Sequence, residues 1–125
     1  MILQKVLIVD DDASIRKIAE ISLSSIGKLE VITASSGAEA LEKVQQFKPD
    51  LILLDVHMPD MGGVEVLEAL KASPNTVHIP VVLMTASYNE EQTRLYGEKG
   101  AGMVIMKPFQ AMELPNQLKS FMAEQ

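Results

Sequence analysis

Cysteine and tryptophan are absent from this 125-residue sequence, and aromatic residues make up only 4% of it. The absence of cysteine excludes disulfides, thiolate metal sites and thiol nucleophiles, and it is consistent with a cytoplasmic location. With no tryptophan and few other aromatics, the chain has no evident stacking platform for nucleic-acid bases. There is also no apolar run of about 18 residues, so we expect no transmembrane helix. Because the first residues lead directly into a strand pattern, we expect no signal peptide.

Positive charge is scarce as well, since lysine and arginine together number 11 and aspartate and glutamate together number 17. The net charge of −6 and the pI near 4.8 argue against a nucleic-acid backbone or an anionic membrane as a direct partner. The hydrophobic fraction of 47% is enough to fill one core. We therefore interpret residues 1–125 as a single domain.

Five short apolar segments alternate with amphipathic, helix-like segments along the chain. The apolar segments span residues 6–9, 29–34, 51–54, 79–85 and 101–106. This alternation predicts a parallel sheet with right-handed crossovers and helices on both faces. For five strands we expect the order 2-1-3-4-5, which is taken from known doubly wound, flavodoxin-like folds. The predicted fold class is thus α/β, with three layers.

Local signals predict where several helices begin and end. Asp12 is interpreted as the N-cap of the first helix, and Gly27 lies where the C-cap of that helix belongs. Residues 36–39 form a capping-box pattern, and Asn89 is typical of the start of a fourth helix. Pro115 falls where the last helix should already be running. It fits the first turn best, which delays the predicted start of that helix to about residue 113.

Polar residues stand at the ends of four of the predicted strands. They are Asp10 and Asp11 after the first strand, Asp55 after the third, Thr85 at the end of the fourth and Lys107 after the fifth. In a sheet of this order they share the carboxyl edge, where ligands bind in open α/β folds. Three carboxylates about 4–6 Å apart would repel one another by roughly 3–4 kcal/mol per pair at an effective dielectric near 20. Either one carboxylate takes up a proton or a cation neutralises them, and we expect Mg²⁺.

A carboxylate beside Mg²⁺, an ammonium group and a hydroxyl is typical of a phosphoryl-acceptor site. Asp55 would attack phosphorus in line, while Mg²⁺ and Lys107 neutralise the phosphoryl oxygens and Thr85 donates a hydrogen bond. Taken singly, Asp55 could be a turn residue, Lys107 a solvated strand end and Thr85 a strand-end hydroxyl. Their joint placement at one sheet edge favours function. His57 and His78 lack the spacing of metal ligands, so we interpret their side chains as non-ligands.

The sequence resembles the receiver domains of two-component response regulators over essentially its whole length. The matching motifs are Val9-Asp10-Asp11, Asp55 with Met58-Pro59, Thr85-Ala86 and Lys107-Pro108-Phe109. Each motif is weak alone, but the ordered set with its spacings is specific. The resemblance implies a signalling domain, not a turnover enzyme, whose Asp55 receives a phosphoryl group from a phosphohistidine. The donor would be a sensor histidine kinase or a histidine phosphotransfer protein, and a downstream effector would recognise the switched surface.

The resemblance also assigns roles to individual residues. The ligands of Mg²⁺, for which Mn²⁺ can substitute, would be Asp11, Asp55, the backbone carbonyl of His57 and, through water, Asp10. Thr85 would be the switch hydroxyl and Lys107 the phosphate-binding ammonium group. The peptide bond between Lys107 and Pro108 is usually cis in this family. His57 and Ser87 stand at positions that tune the lifetime of the phosphoryl group.

Three positions depart from the family pattern. Val104 stands where an aromatic residue is typical, so the output must rely on backbone and loop shifts or on Thr85 alone. Pro115 changes the start of the last helix. Gly62 replaces a common acid, which should leave phosphorylation untouched. The first two changes lie on the face of the last two helices and the fifth strand, where receivers usually dimerise or dock.

Two alternatives stay open. One is a phosphorylation-independent interaction module that keeps the fold and has lost the switch, which Val104 favours. The other is a phosphatase of the haloacid dehalogenase type, because Asp10-x-Asp12 after an apolar strand matches its nucleophile motif. That class needs a later acidic pair for Mg²⁺, and no aspartate follows Asp60 here. Both a stand-alone receiver and a segment of a larger regulator or hybrid kinase fit the sequence.

Overall fold

A five-stranded parallel sheet lies at the centre of the computed structural model, which describes residues 2–125. Met1 lies outside the described residues. It is part of the predicted domain, 1–125, and of the first residues from which we expect no signal peptide. The strands are β1 (Lys5–Val9), β2 (Glu30–Ala34), β3 (Leu51–Asp55), β4 (Val81–Thr85) and β5 (Met103–Met106). The helices are α1 (Ala13–Ile21), α2 (Gly37–Phe47), α3 (Gly63–Ala72), α4 (Glu90–Glu98) and α5 (Leu114–Ala123).

The strands are arranged in the order β2-β1-β3-β4-β5, which confirms the predicted fold. Val9 of β1 pairs with Leu54 of β3, and Thr85 of β4 pairs with Met106 of β5. This register brings the carboxyl ends of four strands into one row. Strands β3 and β4 are buried over all five of their residues, as expected for central strands covered on both faces.

Side chains of successive strand residues point to opposite faces of the sheet and form two cores. On one face, strand residues such as Leu7 and Leu54 pack with α2 and α3. On the other face, Ile8 and Leu53 pack with α1 and α5. Each fully buried aliphatic side chain contributes about 1.5–3 kcal/mol, so the two cores hold the helices on the sheet. Within residues 2–125, no helix has both the length and the apolar character needed to cross a membrane.

Most helix ends lie where the local signals predict them. Asp12, Ser36 and Asn89 each accept first-turn backbone N–H groups at the starts of α1, α2 and α4. Helix α5 begins at Leu114, with Pro115 in its first turn. This start is as predicted, because the first turn of a helix has no use for the N–H group that proline lacks.

Helix α1 continues into a π-helical turn, Ser22–Ile26, which the sequence does not predict. Gly27 caps this turn at the predicted position, but its φ is −79° and the left-handed residue is Lys28, with φ 59°. A glycine is needed at position 27 because other atoms of the chain approach its Cα closely. A Cβ at this position would lie 2.7 Å from the carbonyl oxygen of Leu23 and 2.9 Å from Cβ of Pro115. The end of α1 therefore packs directly on α5.

Candidate functional site

The carboxyl edge of the sheet brings together the charged residues that were predicted to lie there. Asp10 follows β1, Asp55 ends β3 and Lys107 follows β5. Nζ of Lys107 lies 2.8 Å from Oδ2 of Asp10 and 3.0 Å from Oδ1 of Asp55. The two carboxylates emerge side by side because β1 and β3 are neighbours, and the lysine reaches both from the far side of β4.

Three carboxylates form a compact cluster at this edge. One oxygen atom from each of Asp10, Asp11 and Asp55 lies within 4.8 Å of the other two. Asp10 is fully buried and Asp55 is 4% exposed, whereas Asp11 is exposed. Three carboxylates and the ammonium group of Lys107 leave two net negative charges in the cluster. Such a charge suits a divalent cation.

The hydrogen bonds separate Asp10 from the other two acids. Its Oδ1 accepts from the backbone N–H of Asp12 at 2.9 Å, and its Oδ2 accepts from Lys107. Across the described part of the chain, no hydrogen bond engages the carboxylate of Asp11. Asp55 accepts from Lys107 through Oδ1 alone, whereas both oxygens of Asp10 are engaged. Asp11 and Asp55 are therefore better placed than Asp10 to hold a hard cation such as Mg²⁺, which binds one or two carboxylates and keeps several waters. The oxygen donors fit the predicted metal.

Burial sets the protonation behaviour of the site. It raises the pKa of Asp55 above the ordinary value of 3.8, against the hydrogen bond from Lys107, while the Asp10 carboxylate raises it further. Burial alone would lower the pKa of Lys107, but hydrogen bonds to Asp10 and Asp55 outweigh it and raise that pKa above 10.5. The ammonium group thus stays charged at neutral pH. The carboxylate of Asp55 is poorly solvated, which favours its pairing with a cation.

Thr85 lies at the same edge, as predicted, but its hydroxyl is turned to the chain that follows β4. The side chain is 3% exposed. Its Oγ1 donates to the carbonyl of Ser87 and accepts from the Ser87 N–H, both at 3.2 Å. To donate to a group bound on Asp55, the hydroxyl must exchange the Ser87 carbonyl for the new acceptor.

The remaining residues considered for the site differ in burial and in their place in the fold. His57 is exposed just after β3, and its backbone N–H helps to lower the pKa of Asp55 against the effect of burial. Val104 is half-buried in β5 and packs against the core formed with α2 and α3. The Lys107–Pro108 peptide is cis, as predicted. His78 precedes β4 at the opposite edge of the sheet, so it lies outside this site.

Two residues that contact the site were not recognised in the sequence. Arg16 donates from Nη1 to the backbone carbonyl of Asp10 at 2.8 Å. Gly63, the first residue of α3, lies against the backbone of the acceptor strand, since a Cβ there would be 2.2 Å from the carbonyl oxygen of Asp55. The signal for Gly63 is the Gly62-Gly63 pair that follows the third apolar segment, a pattern typical of a turn. Arg16 offered no comparable signal.

Asp12 takes no part in the carboxylate cluster. Its Oδ1 accepts the backbone N–H groups of Ser14 and Ile15 at 2.8 and 3.2 Å. Its side chain is thus occupied with capping α1, as predicted. The second acid of the dehalogenase-type motif thus caps a helix and lies outside the carboxylate cluster, which argues against that alternative.

Comparison with known protein families gives one consistent match. The model of the response regulator receiver domain matches residues 6–119. Among curated proteins, the "Probable transcriptional regulator ycf27" of Guillardia theta is 41% identical over 118 residues, which cover 94% of this chain and 44% of that protein. The "DNA-binding response regulator MtrA" of Mycobacterium tuberculosis is 36% identical over 117 residues, covering 94% of this chain and 50% of that protein. The chain thus spans about half the length of these relatives.

Solved structures with the same fold cover nearly the whole chain. The chemotaxis protein CheY4 of Vibrio cholerae superposes with a TM-score of 0.88 at 34% identity, covering 95% of this chain and 98% of that one. A CheY-like response regulator receiver domain protein from Methanospirillum hungatei gives a TM-score of 0.86 at 30% identity, with 98% and 95% of the two chains covered.

Proposed function

The chain belongs to the response regulator receiver domain family of two-component signalling, and on that premise we propose that it carries its signal as a phosphoryl group on Asp55. The observation that supports this most is the position of Lys107, whose ammonium group contacts Asp55 and Asp10 beside a third carboxylate. We further propose that residues 1–125 form one receiver unit, and that it acts in the cytoplasm.

Asp55 is the proposed nucleophile. The phosphorus–nitrogen bond of a phosphohistidine breaks as a carboxylate oxygen of Asp55 bonds to phosphorus, and the imidazole leaves with the bonding electron pair. The phosphohistidine belongs to a sensor histidine kinase or a histidine phosphotransfer protein. Lys107, already 3.0 Å from Oδ1 of Asp55, is close enough to neutralise the phosphoryl oxygens as they arrive.

Mg²⁺ is the proposed cofactor of this transfer. Asp11, Asp55 and the backbone carbonyl of His57 would hold it, with Asp10 acting through water, and Mn²⁺ would substitute. The bound ion would neutralise negative charge on the phosphoryl group during transfer. The two net negative charges of the cluster support this assignment. Lys107 donates a hydrogen bond to Asp10, which keeps the ammonium group in place. Asp11 is exposed and therefore accessible to a metal ion.

Thr85 is the proposed switch residue. When a phosphoryl oxygen becomes available, the hydroxyl would leave the carbonyl of Ser87 and donate to that oxygen, and the chain after β4 would move with it. A downstream effector would recognise the changed surface. MtrA is described as DNA-binding, and this chain covers half of it. We propose that these 125 residues do not bind DNA themselves, because their net charge is −6.

Phosphorylation by acetyl phosphate tests the proposal directly. Intact mass and phosphate-affinity electrophoresis should show one phosphoryl group that requires Mg²⁺. Asp55→Asn should abolish it, whereas Asp60→Asn, which neutralises an exposed acid five positions further along, should leave it unchanged. An adduct that forms without divalent ions, or that persists in Asp55→Asn, would contradict the proposal.

A second candidate is a receiver-fold module that binds its partner without phosphorylation. Val104 favours it, because no aromatic side chain stands at that position to follow the movement of Thr85. Binding of a partner with equal affinity in the presence and absence of Mg²⁺ and phosphodonor would support this candidate over the first.

A further inference from the structure

The loop between β5 and α5 is tied to helix α1 at a point outside the acceptor site. Oγ of Ser22 donates to the backbone carbonyl of Ala111 at 2.5 Å, although the two residues lie 89 positions apart in sequence. Ser22 is 1% exposed. The hydroxyl therefore has a defined partner in the protein, and water cannot readily replace it.

Ser22 is the first residue of the π-helical turn Ser22–Ile26. An extra residue in a helical turn changes the direction of the side chains around it, and such turns recur at functional sites. Gly27, which follows this turn, contacts α5 at two points. Lys119 donates from Nζ to the carbonyl of Gly27 at 2.7 Å, and Gly27 packs against Pro115. The end of α1 is thus docked on both the loop and the helix that follow Lys107.

The anchor matters because of what happens to Lys107 during transfer. Without a phosphoryl group, ion pairs with Asp10 and Asp55 fix its ammonium group. Once Asp55 carries a phosphoryl group, the contacts of the ammonium group must change, and the backbone then determines where it can reach. That backbone is fixed on one side by the hydrogen bond from the Lys107 N–H to the Thr85 carbonyl at 2.7 Å. On the other side, two contacts within the described residues hold the loop to the rest of the fold. Phe109 packs against the core formed with α1 and α5, and Ser22 donates its hydrogen bond to the Ala111 carbonyl.

We propose that Ser22 is a positioning residue for Lys107, and that it acts through the carbonyl of Ala111. The inference rests on the proposed phosphorylation of Asp55. Ser22 lies outside the carboxylate cluster, and its hydroxyl is bonded to the Ala111 carbonyl. It holds the loop in a position from which the ammonium group of Lys107 can move from the two carboxylates to the phosphoryl oxygens.

The chain offers a matched control for this role. Ser24 lies on the same π-helical turn, and its Oγ donates to the carbonyl of Glu20 at 2.6 Å, within its own helix. Ser22→Ala and Ser24→Ala therefore each remove one hydroxyl from the same segment, but only the first removes a hydrogen bond to the β5–α5 loop. We expect Ser22→Ala to slow phosphorylation by acetyl phosphate about tenfold, because small displacements of a catalytic group are costly. Ser24→Ala should stay within about twofold of the wild-type rate.

A double-mutant cycle separates positioning from a general loss of structure. In a Lys107→Ala background, Ser22→Ala should cause no further decrease in rate, because its effect passes through the missing lysine. The affinity for Mg²⁺, measured by calorimetry, should be unchanged in Ser22→Ala. Hydrogen exchange of the backbone amides of residues 109–113 should be faster in Ser22→Ala than in Ser24→Ala.

The outcomes distinguish this inference from the function on which it rests. If the wild-type chain is not phosphorylated, the proposed function fails and the inference fails with it. If the wild type is phosphorylated but Ser22→Ala matches Ser24→Ala, or remains additive with Lys107→Ala, the inference alone is overturned. If Ser22→Ala does not fold, Ser22→Thr and Ser22→Val replace it. They have the same shape, and only the threonine variant, which keeps the hydroxyl, should retain the wild-type rate.

Discussion

Replacing Asp11 with asparagine should make the metal-free protein more stable. The Asp11 carboxylate lies within 4.8 Å of those of Asp10 and Asp55, and no ion pair within residues 2–125 offsets its charge. At this distance two unit charges repel by about 1 kcal/mol in the dielectric of water, and by more in a partly buried site. Removing two such repulsions should raise the free energy of unfolding by about 1–2 kcal/mol at low ionic strength, and less in salt.

The same substitution should remove the response to Mg²⁺, because Asp11 is a proposed ligand. Thermal unfolding followed by circular dichroism, with EDTA and then with excess Mg²⁺, measures both effects. Without metal, Tm of the variant should be about 4–8 °C above that of the wild type. The wild type should gain about 2.7 kcal/mol when Mg²⁺ is a hundredfold above its Kd, and the variant almost nothing.

Asp60→Asn is the control for the loss of one negative charge, since Asp60 is exposed and lies outside the carboxylate cluster. It should change Tm little and keep the Mg²⁺ response. A lower Tm for metal-free Asp11→Asn would refute the repulsion argument. An undiminished Mg²⁺ response in that variant would refute the assignment of Asp11 as a ligand.

Two further predictions concern the acceptor strand and its surroundings. Gly63→Ala should lower the free energy of unfolding by at least about 2 kcal/mol, because the new Cβ would be 2.2 Å from the Asp55 carbonyl. Gly97→Ala, with nothing within 4 Å of the new Cβ in α4, should raise it by about 0.5–1 kcal/mol. Equal effects in urea denaturation would contradict the packing argument. The raised pKa of Asp55 means that its ionisation costs stability. The free energy of unfolding of the wild type, minus that of Asp55→Asn, should be largest below pH 3.8. This difference should decrease as the pH rises through the folded pKa of Asp55. Urea denaturation of both proteins across the acidic range checks the sign, and a difference that grows with pH would contradict it.

Local sequence patterns were sufficient to predict much of the fold. The caps at Asp12, Ser36 and Asn89 depend on one side chain and the two or three residues after it, so the sequence contains all the information that they need. The placement of Asp55 at the end of β3 followed from the four apolar residues before it, because a strand buried on both faces excludes a carboxylate from its middle. The meeting of Asp55 with Lys107 also needed the strand order, which known folds supplied.

Features that depend on tertiary packing were not predictable in this way. The π-helical turn that follows α1 is one such feature, and Ile26 at its end is 42% exposed. Leu23 is buried instead. In α2 the capping box is displaced by one residue, since Glu39 accepts from the N–H of Ser35 and not from that of Ser36. The π-helical turn ends against the distant helix α5, whereas the displaced capping box is a local choice between two adjacent N–H groups.

The acceptor site also combines residues that could be predicted from the sequence with contacts that could not. Its carboxylates, lysine and threonine could be found from strand ends, because parallel strands bring those ends together. The contact of Arg16 with the Asp10 carbonyl and the hydrogen bonds between Thr85 and Ser87 could not be found, because they depend on how the chain turns after each strand.

Locating the phosphoryl group on a single carboxylate tests the central proposal most directly. The chain is treated with acetyl phosphate and Mg²⁺, the acyl phosphate is reduced with borohydride, and peptide mass mapping locates the homoserine that results. We predict homoserine at position 55 alone, and none when Mg²⁺ is removed. Reduction at position 10, 11 or 12, or no reduced residue at all, would contradict the assignment of Asp55 as the phosphoacceptor.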